Sequence, residues 1–214
     1  MPAKIEIIFM QPQNTNSVLV HNDELAAIFD PWGCAEDWLK LLDERKLKLY
    51  SIYCTHGHYD HISAIAELPK VPWFVHPDEI EMINWSNQIL KTMNMPQIDL
   101  IKNPPQVLQM GKNEILPKVF ADTIHCPGHS PGCVAYYFKP EKTLLIGDTL
   151  FQETVGAYHF PGGNEQQLKE SIAKIYNMNL SDDTIVIHGH GMHTTIGWLK
   201  ENNPFFTNNL KEKK

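Results

Sequence analysis

The seven residues Thr-His-Gly-His-Tyr-Asp-His at 55–61 constrain this chain more than any other stretch, because they place three imidazoles and a carboxylate within six positions. Packing alone does not require such crowding. Neutral imidazole is the commonest metal ligand in proteins, and imidazole together with carboxylate suits Zn, Fe, Mn or Ni. The alternative is a solvated loop that is rich in His by chance. Since a β-prone segment at 49–54 leads straight into this stretch, we favour a metal site.

Hydrophobic periodicity divides the chain into short strands and a few helices. Strands are predicted at 4–10, 17–20, 26–29, 49–54, 73–76, 107–110, 118–123, 134–138, 143–146 and 184–187. Helices are predicted at 35–48, 60–68, 77–90 and 166–176. The order shows no regular βαβ alternation, no repeat and no linker. We therefore predict a single domain over 1–214, built from layered sheets with helices outside.

Composition and charge limit the class of partner. The formal net charge of −7 argues against a nucleic-acid partner, because no basic stripe is available to neutralise phosphates. The sequence contains no run of 18 apolar residues, which argues against a membrane span, and its first ten residues do not resemble a signal peptide. The four cysteines form no Cys-x-x-Cys pair, so we expect reduced thiols in a cytoplasmic protein.

Four further polar clusters stand in Gly-rich turns at the ends of predicted strands. Glycine in such turns lets the backbone approach a site closely. The clusters are His-Cys-Pro-Gly-His-Ser-Pro-Gly at 125–132, Gly-Asp-Thr at 147–149, Phe-Pro-Gly-Gly at 160–163 and His-Gly-His-Gly at 188–191. Loops at strand ends on a rigid scaffold commonly build active sites, so we expect one here.

Taken in order, these motifs make the chain resemble the metallo-β-lactamase-fold hydrolases, and within them the glyoxalase II-like branch. The matching motifs are Thr-His-Gly-His-Tyr-Asp-His at 55–61, Pro-Gly-His-Ser-Pro-Gly at 127–132, Gly-Asp-Thr-Leu-Phe at 147–151, Pro-Gly-Gly at 161–163, Gly-His-Gly at 189–191 and Thr-Thr-Ile-Gly at 194–197. They cover most of the chain. Together they are highly specific, although each except the first would be weak alone.

The resemblance implies an α+β fold, a four-layer αββα sandwich, that holds two divalent metal ions. The implied ligands of the first ion are His56, His58 and His129. The implied ligands of the second ion are Asp60, His61 and His190. Asp148 would bridge both ions, and Asp60 and Asp148 are the expected catalytic residues. Zinc is the expected metal, with iron or manganese as alternatives. A hydroxide shared by ions about 3.5–4 Å apart would attack an acyl carbonyl of a small-molecule substrate.

Several of the singled-out residues have a second interpretation. Asp60 begins a predicted helix, where free backbone N–H groups favour a carboxylate, and that role is compatible with metal binding. Asp148 is also suited to capping the turn after its strand. We expect His125 to support the site from behind a ligand, as in the family, whereas His188 stands where the family more often has Pro. No chemistry is assigned to the remaining histidines of interest, His76, His159 and His193.

Two segments depart from the family pattern. The family carries Gly-Arg-x-Asp before Pro-Gly-Gly, whereas this chain has Gly-Ala-Tyr-His at 156–159, so the pocket and its substrate are expected to differ. A true glyoxalase II also has a C-terminal helical domain for glutathione, which residues 201–214 are too few to form; the final Lys-Glu-Lys-Lys is expected to be a frayed end. Residues 91–105 form either a flap over a site or an irregular surface connection.

The favoured function is hydrolysis of a thioester or related ester by a binuclear metal centre. The first alternative is hydrolysis of another bond in the same fold, in a lactone, β-lactam or phosphodiester. The second is an iron-dependent persulfide dioxygenase, which needs one metal held by two His and an Asp; the full ligand set argues against it. The last is a non-catalytic binding protein, which usually shows lost ligands. The sequence does not indicate the oligomeric state.

Overall fold

Two six-stranded mixed sheets pack face to face in the computed structural model, which describes residues 3–10 and 13–211. The first sheet contains, in spatial order, β1 (Lys4–Met10), β2 (Thr15–His21), β3 (Leu25–Phe29), β4 (Lys48–Tyr53), β5 (Trp73–Val75) and β6 (Gln106–Val107). The second contains β12 (Thr194–Thr195), β11 (Ile185–His188), β10 (Thr143–Gly147), β9 (Val134–Phe138), β8 (Val119–His125) and β7 (Gly111–Leu116). Strands β3 to β6 run parallel, as do β10 and β11, and the other neighbours are antiparallel.

Helices cover the outer face of each sheet and complete a four-layer αββα sandwich. They are α1 (Ala35–Glu44), α2 (Tyr59–Ile62), α3 (Ile80–Thr92), α4 (Glu165–Asn177), α5 (Ile196–Asn202) and α6 (Pro204–Lys211). Helices α1 and α3 share a core with the first sheet, and α4 and α5 share one with the second. The predicted fold class is therefore confirmed. Within the described residues, no helix combines the length and the apolar character that a membrane crossing requires.

Strands β2 and β3 are buried on both faces because alternate residues belong to different cores. Val18 and Val20 of β2 lie in the core between the sheets, whereas Leu19 lies in the core beneath the outer helices. Ala27 and Phe29 of β3 repeat this alternation. Full burial of each large apolar side chain is worth roughly 1.5–3 kcal/mol, so both faces hold these strands in register. The loops at their ends therefore leave a rigid support.

Helix α1 ends at Glu44, although its pattern predicts a helix over 35–48. Lys46 adopts a φ of 56°, in the left-handed region. Leu47 donates its N–H to the Leu42 carbonyl at 2.9 Å, and Lys46 donates to the Asp43 carbonyl at 3.0 Å. These two bonds close the last turn. Glycine usually occupies the left-handed position, so a lysine there gives no stop signal in the sequence.

The second sheet contains two strands that the apolar pattern does not predict. Strand β7 covers Gly111–Leu116, whereas the strand predicted at 107–110 shares only Val107 with β6 (Gln106–Val107), which lies in the first sheet. The first four residues of β7 are Gly-Lys-Asn-Glu, and its exposed edge position explains this polar sequence. Strand β12 is only two residues long, which is too short to show a period.

The tail is ordered further than its sequence predicts. Helix α6 covers Pro204–Lys211, and Phe206 within it is fully buried against the ring of Tyr176, with centroids 5.3 Å apart. The frayed end predicted at 211–214 lies outside the described residues except for Lys211, which is the last residue of α6. The described tail is therefore part of the outer helical layer on the second sheet.

Residues 91–105 form an irregular connection that is anchored to the first helical layer. Ile98 is buried in that core, and its backbone N–H and carbonyl both bond to the side chain of Asn87 on α3. Trp73 of β5 donates its indole N–H to the Asn103 carbonyl at 3.1 Å. These contacts agree with a surface connection rather than a flap over the site.

Candidate metal centre

The seven predicted ligands lie together where four strand-end loops meet. His56, His58, Asp60 and His61 follow β4; the other three follow β8, β10 and β11, at positions 129, 148 and 190. Their ring nitrogens and carboxylate oxygens group into sets small enough to hold a metal ion. The structure thus brings all seven side chains together, from positions spread over 135 residues of sequence between His56 and His190.

Three imidazoles form the first cluster. The Nδ1 atom of His58 lies 3.1 Å from Nε2 of His56 and 2.9 Å from Nε2 of His129. Nitrogens bound to one tetrahedral zinc at about 2.0–2.1 Å stand roughly 3.3–3.4 Å apart, which is close to this spacing. Burial lowers the pKa of His58 to about 3 and also lowers the pKa values of His56 and His129. All three rings are therefore neutral at pH 7, the state a metal ligand requires.

Two imidazoles and a carboxylate form the second cluster. Nε2 of His190 lies 3.2 Å from Oδ2 of Asp60 and 3.4 Å from Nε2 of His61. Burial alone would lower the pKa of His61, but neighbouring carboxylates, Asp148 first, raise it to about 9. The same opposition raises the pKa of His190 to about 11. The carboxylates of this cluster thus draw positive charge toward them, and a divalent cation would supply that charge.

Asp148 lies between the two clusters. Its Oδ2 is 3.6 Å from Nε2 of His129 in the first cluster and 3.5 Å from Nε2 of His190 in the second. Burial opposes its ionisation, but the surrounding imidazoles, His61 first, hold the pKa of Asp148 well below its usual range. Its Oδ1 is buried without a hydrogen-bond partner among the described residues. A Cβ atom on Gly189 would overlap that oxygen, so the close approach of the β11 loop requires glycine.

The donor set fits two divalent cations that share one carboxylate. Each cluster offers three nitrogen or oxygen atoms, and the shared Asp148 is ionised, buried and short of partners. Buried charges in proteins are normally paired or coordinate a metal, and the lone pairs of three neutral rings would otherwise face one another. A solvated polar loop would leave these side chains exposed to water, so their burial argues against that alternative.

Backbone carbonyls and one further carboxylate orient the imidazoles from behind. His129 bonds through Nδ1 to the Ala157 carbonyl at 2.7 Å, and His190 bonds through Nδ1 to the Gln13 carbonyl at 3.2 Å. Nδ1 of His61 lies 3.0 Å from Oδ2 of Asp30. In the neutral ring that a metal requires, each of these contacts holds the proton on Nδ1 and directs the lone pair of Nε2 into the centre.

Asp30 is a functional residue that the sequence pattern did not reveal. Besides His61, its carboxylate accepts the N–H and the hydroxyl of Thr55, at 2.6 and 2.7 Å. It is buried and adopts a φ of 50°, an uncommon conformation for a non-glycine residue. In the sequence, Asp30 looks like an ordinary turn residue at the end of β3. The only available signal was its position directly after a buried strand.

Glu79 is the second functional residue that sequence reasoning missed. Its fully buried carboxylate accepts the N–H of Gly57 at 2.7 Å, the hydroxyl of Ser130 at 2.6 Å and the N–H of Gly132 at 2.6 Å. Burial raises the pKa of Glu79, although these hydrogen bonds act in the opposite direction. Glu79 therefore joins the loop that carries His56 and His58 to the loop that carries His129.

The remaining histidines lie outside the two clusters. Nε2 of His125 contacts the Pro131 carbonyl at 2.9 Å, in the loop that carries His129. The ring of His125 also stacks on the ring of His76, with centroids 4.3 Å apart and planes 4° from parallel. Together with Asp78 this pair could hold an ion. However, parallel stacked rings cannot both direct a lone pair at one ion within their planes, so we assign no metal there.

His188 serves the fold rather than the centre. Its Nδ1 contacts the Leu150 carbonyl at 2.6 Å, its Nε2 contacts the hydroxyl of Thr194 at 2.9 Å, and burial lowers its pKa to about 4. His159 and His193 are exposed, and His159 packs on the ring of Phe160 with centroids 4.9 Å apart.

Two grooves reach the surface beside the centre. The Trp85 groove, about 540 Å³, is lined by Pro77, Asp78, Glu81, Met82, Trp85, Pro131, Pro161 and Gly162. The Phe151 groove, about 360 Å³, is lined by Phe151, Gln152, Glu153, Thr154, His190, Gly191 and Met192. A larger cavity of about 760 Å³ lies on β7 to β9 around Lys112, Phe120 and Tyr137. Its lining includes neither one of the seven residues, as the Phe151 groove does with His190, nor a ring packed against one, as the Trp85 groove does with Trp85, so its size does not make it the active site.

The four-layer αββα sandwich and the two His/Asp clusters at its strand ends together identify the class of proteins to which this chain belongs. The chain belongs to the metallo-β-lactamase superfamily, whose family model matches residues 10–190 and therefore includes all seven clustered residues. It shares 34% identity over 206 residues with the hydroxyacylglutathione hydrolase GloC of Haemophilus influenzae, covering 94% of this chain and 97% of that protein.

Two solved structures are similar over nearly the whole chain. One is the BLEG-1 B3 metallo-β-lactamase, with 34% identity, a TM-score of 0.84 and coverage of 95% of this chain and 100% of that chain. The other is TTHA1623 in a di-iron-bound form, with 29% identity, a TM-score of 0.81 and coverage of 94% and 99%. The fold and the clustered residues thus place the chain in a superfamily of metallo-hydrolases.

Proposed function

We propose that this protein is a binuclear metal-dependent hydrolase of thioesters or related esters. The observation that carries the proposal is the geometry of Asp148, whose Oδ2 lies within 3.6 Å of imidazole nitrogens from both clusters. The similarity to a hydroxyacylglutathione hydrolase over nearly the full length of both chains supports the ester or thioester class of substrate.

The ligand roles follow from the clusters. His56, His58 and His129 would hold one ion and Asp60, His61 and His190 the other, with Asp148 shared between them. When bound, the two ions supply a water of lowered pKa and stabilise the oxyanion that develops on the acyl carbonyl. We propose zinc as the resident metal; the di-iron form of TTHA1623 keeps iron as the alternative.

The chain's own residues prepare the reaction around that water. Asp148 and Asp60 keep the centre anionic and accept hydrogen bonds from the attacking water, while Asp30 fixes the tautomer of His61. The rings of Trp85 and Phe160, with centroids 5.7 and 5.8 Å from that of His58, shield the first cluster from bulk water. No side-chain nucleophile is required in this mechanism.

One alternative substrate has a specific observation in its favour. The similarity to a B3 metallo-β-lactamase at 34% identity makes a β-lactam the second candidate. Persulfide dioxygenation is a weaker candidate, because one iron held by two His and an Asp would leave four of the clustered residues without a role.

A substrate panel tests the proposal. The purified chain, loaded with zinc, is assayed against an acyl thioester, a lactone and a chromogenic β-lactam, and its metal content is measured. We expect about two metals per chain and the highest kcat/KM with the thioester. Asp148→Asn should abolish turnover and reduce metal content, whereas Asp122→Asn, on β8 outside both clusters, should change neither. In the chain as purified, before zinc is added, one iron per chain with oxygen consumption would overturn the proposal.

A further inference from the structure

The Trp85 groove borders the first cluster through the ring of Trp85, which both lines the groove and packs on His58. The ring centroid of Trp85 on α3 lies 5.7 Å from that of His58 and 6.3 Å from that of Phe160. Phe160 also contacts His129, with ring centroids 6.4 Å apart. The two aromatic rings therefore stand between the groove and the imidazoles, and a substrate bound in the groove has its reacting bond beside this cluster.

The part of the groove nearest the centre is apolar. Met82 and Trp85 of α3 form one wall, and Pro131 and Pro161 form the other. Pro131 lies in the same loop as His129 and packs closely on Gly162. An unbranched or apolar segment of a substrate fits this stretch, because it buries carbon without leaving a polar group unpaired.

The outer part of the groove carries two carboxylates and no basic side chain. Two exposed carboxylates line it, Asp78 just before α3 and Glu81 in its first turn, and no Lys or Arg is among the described residues of its lining. His76 lies 3.6 Å from Asp78, but burial and the stacked His125 lower the pKa of His76, so it stays neutral at pH 7. Lys169 near Tyr158 is paired with Glu165 at 2.8 Å.

The second approach to the centre has the same character. The Phe151 groove contains the carboxylate of Glu153 and, among the described residues, no Lys or Arg. An anionic substrate would thus meet unpaired negative charge along either groove. A cationic group would be attracted to Asp78 and Glu81 at the outer end of the Trp85 groove. Two opposite charges about 4 Å apart in water gain about 1 kcal/mol.

We propose that the Trp85 groove binds the leaving group of the substrate, and that Asp78 and Glu81 select a cationic thiol over an anionic one. This inference rests on the proposed thioesterase function and names its substrate class. In the reaction, the water oxygen bonds to the acyl carbon, the carbon–sulfur bond breaks, and the departing thiolate takes a proton. The products are a carboxylic acid and an aminothiol-type thiol.

Three acetyl thioesters that differ only in the leaving group test this selection. They are acetylthiocholine, its neutral 3,3-dimethylbutyl isostere, and the anionic S-acetyl-3-mercaptopropionate. With the zinc-loaded chain at low ionic strength, we expect kcat/KM to fall in that order, by about tenfold from cation to anion. Added salt should shrink the ratio, because exposed charges are screened.

A double variant and a matched control locate the cause. In Asp78→Asn with Glu81→Gln, the ratio of cation to anion should approach one. The control, Glu36→Gln with Asp43→Asn, removes two exposed carboxylates from α1 and should keep the wild-type ratio. Preference for the anion, or an unchanged ratio in the groove variant, would overturn the groove assignment. If the chain hydrolyses none of the three thioesters, that result would instead contradict the proposed function.

Discussion

Loss of Glu79 should disturb both the stability of the fold and the metal centre without removing a predicted ligand. In Glu79→Ala, the N–H groups of Gly57 and Gly132 and the hydroxyl of Ser130 lose their acceptor in a fully buried place. A Cβ atom on Gly132 would lie 2.8 Å from the Glu79 side chain, which shows how closely the loop packs on it.

The expected cost follows from these three bonds. Each buried donor left unpaired costs about 1–3 kcal/mol, so the three together cost at least about 3 kcal/mol of unfolding free energy. Removing the carboxylate also recovers its own desolvation penalty, which is seen in the raised pKa of Glu79. We therefore expect a loss near that lower bound. Glu79→Gln keeps one acceptor oxygen, which can serve Ser130 and Gly132, so its loss should be about 1–2 kcal/mol.

Urea unfolding of the metal-free chain measures the stability loss, and metal analysis after zinc loading measures the effect on the centre. Because Glu79 joins the loops of the first cluster, the Ala variant should hold about one zinc instead of two. Glu81→Ala, an exposed neighbour on α3, should remain within about 0.5 kcal/mol of wild type. An Ala variant with wild-type stability and full metal content would refute this reasoning.

Three further variants probe other parts of the structure. Asp30→Asn should weaken zinc binding at the second cluster by about 10–100-fold, because it removes the carboxylate that fixes the tautomer of His61; zinc competition measures this. Gly189→Ala should displace Asp148 and abolish turnover, while circular dichroism shows that the fold persists; normal turnover would contradict the close approach. Phe206→Ala should cost about 3–5 kcal/mol in denaturant unfolding, and a neutral result would show that α6 contributes nothing to the core.

The fold could be predicted from local patterns where one face of each element is apolar. The strand predicted at 134–138 matches β9 residue for residue, because Val134–Phe138 carries its burial signal in consecutive positions. Strand β7 was missed because its exposed edge residues are polar, and the end of α1 was missed because Lys46 takes a position usual for glycine. These failures share one cause: tertiary position outweighed local composition.

The candidate site likewise contains residues that the sequence predicts and residues that it does not. Crowded His and Asp residues at 55–61 are conspicuous in a sequence, and the structure separates them into two clusters, with Asp60 and His61 beside His190. Asp30 and Glu79 are single carboxylates at ordinary turn and helix-start positions. Asp30 stands 31 residues from His61, and Glu79 stands 53 residues from Gly132, so only the folded chain shows their partners.

A zinc titration of thioester hydrolysis tests the binuclear centre most directly. The chain is first stripped of metal, and the rate of hydrolysis of one acetyl thioester is then followed as zinc is added. The shared position of Asp148 predicts that activity rises until about two equivalents of zinc per chain are bound and then stays constant. Full activity at one equivalent, or no hydrolysis at two, would contradict the account.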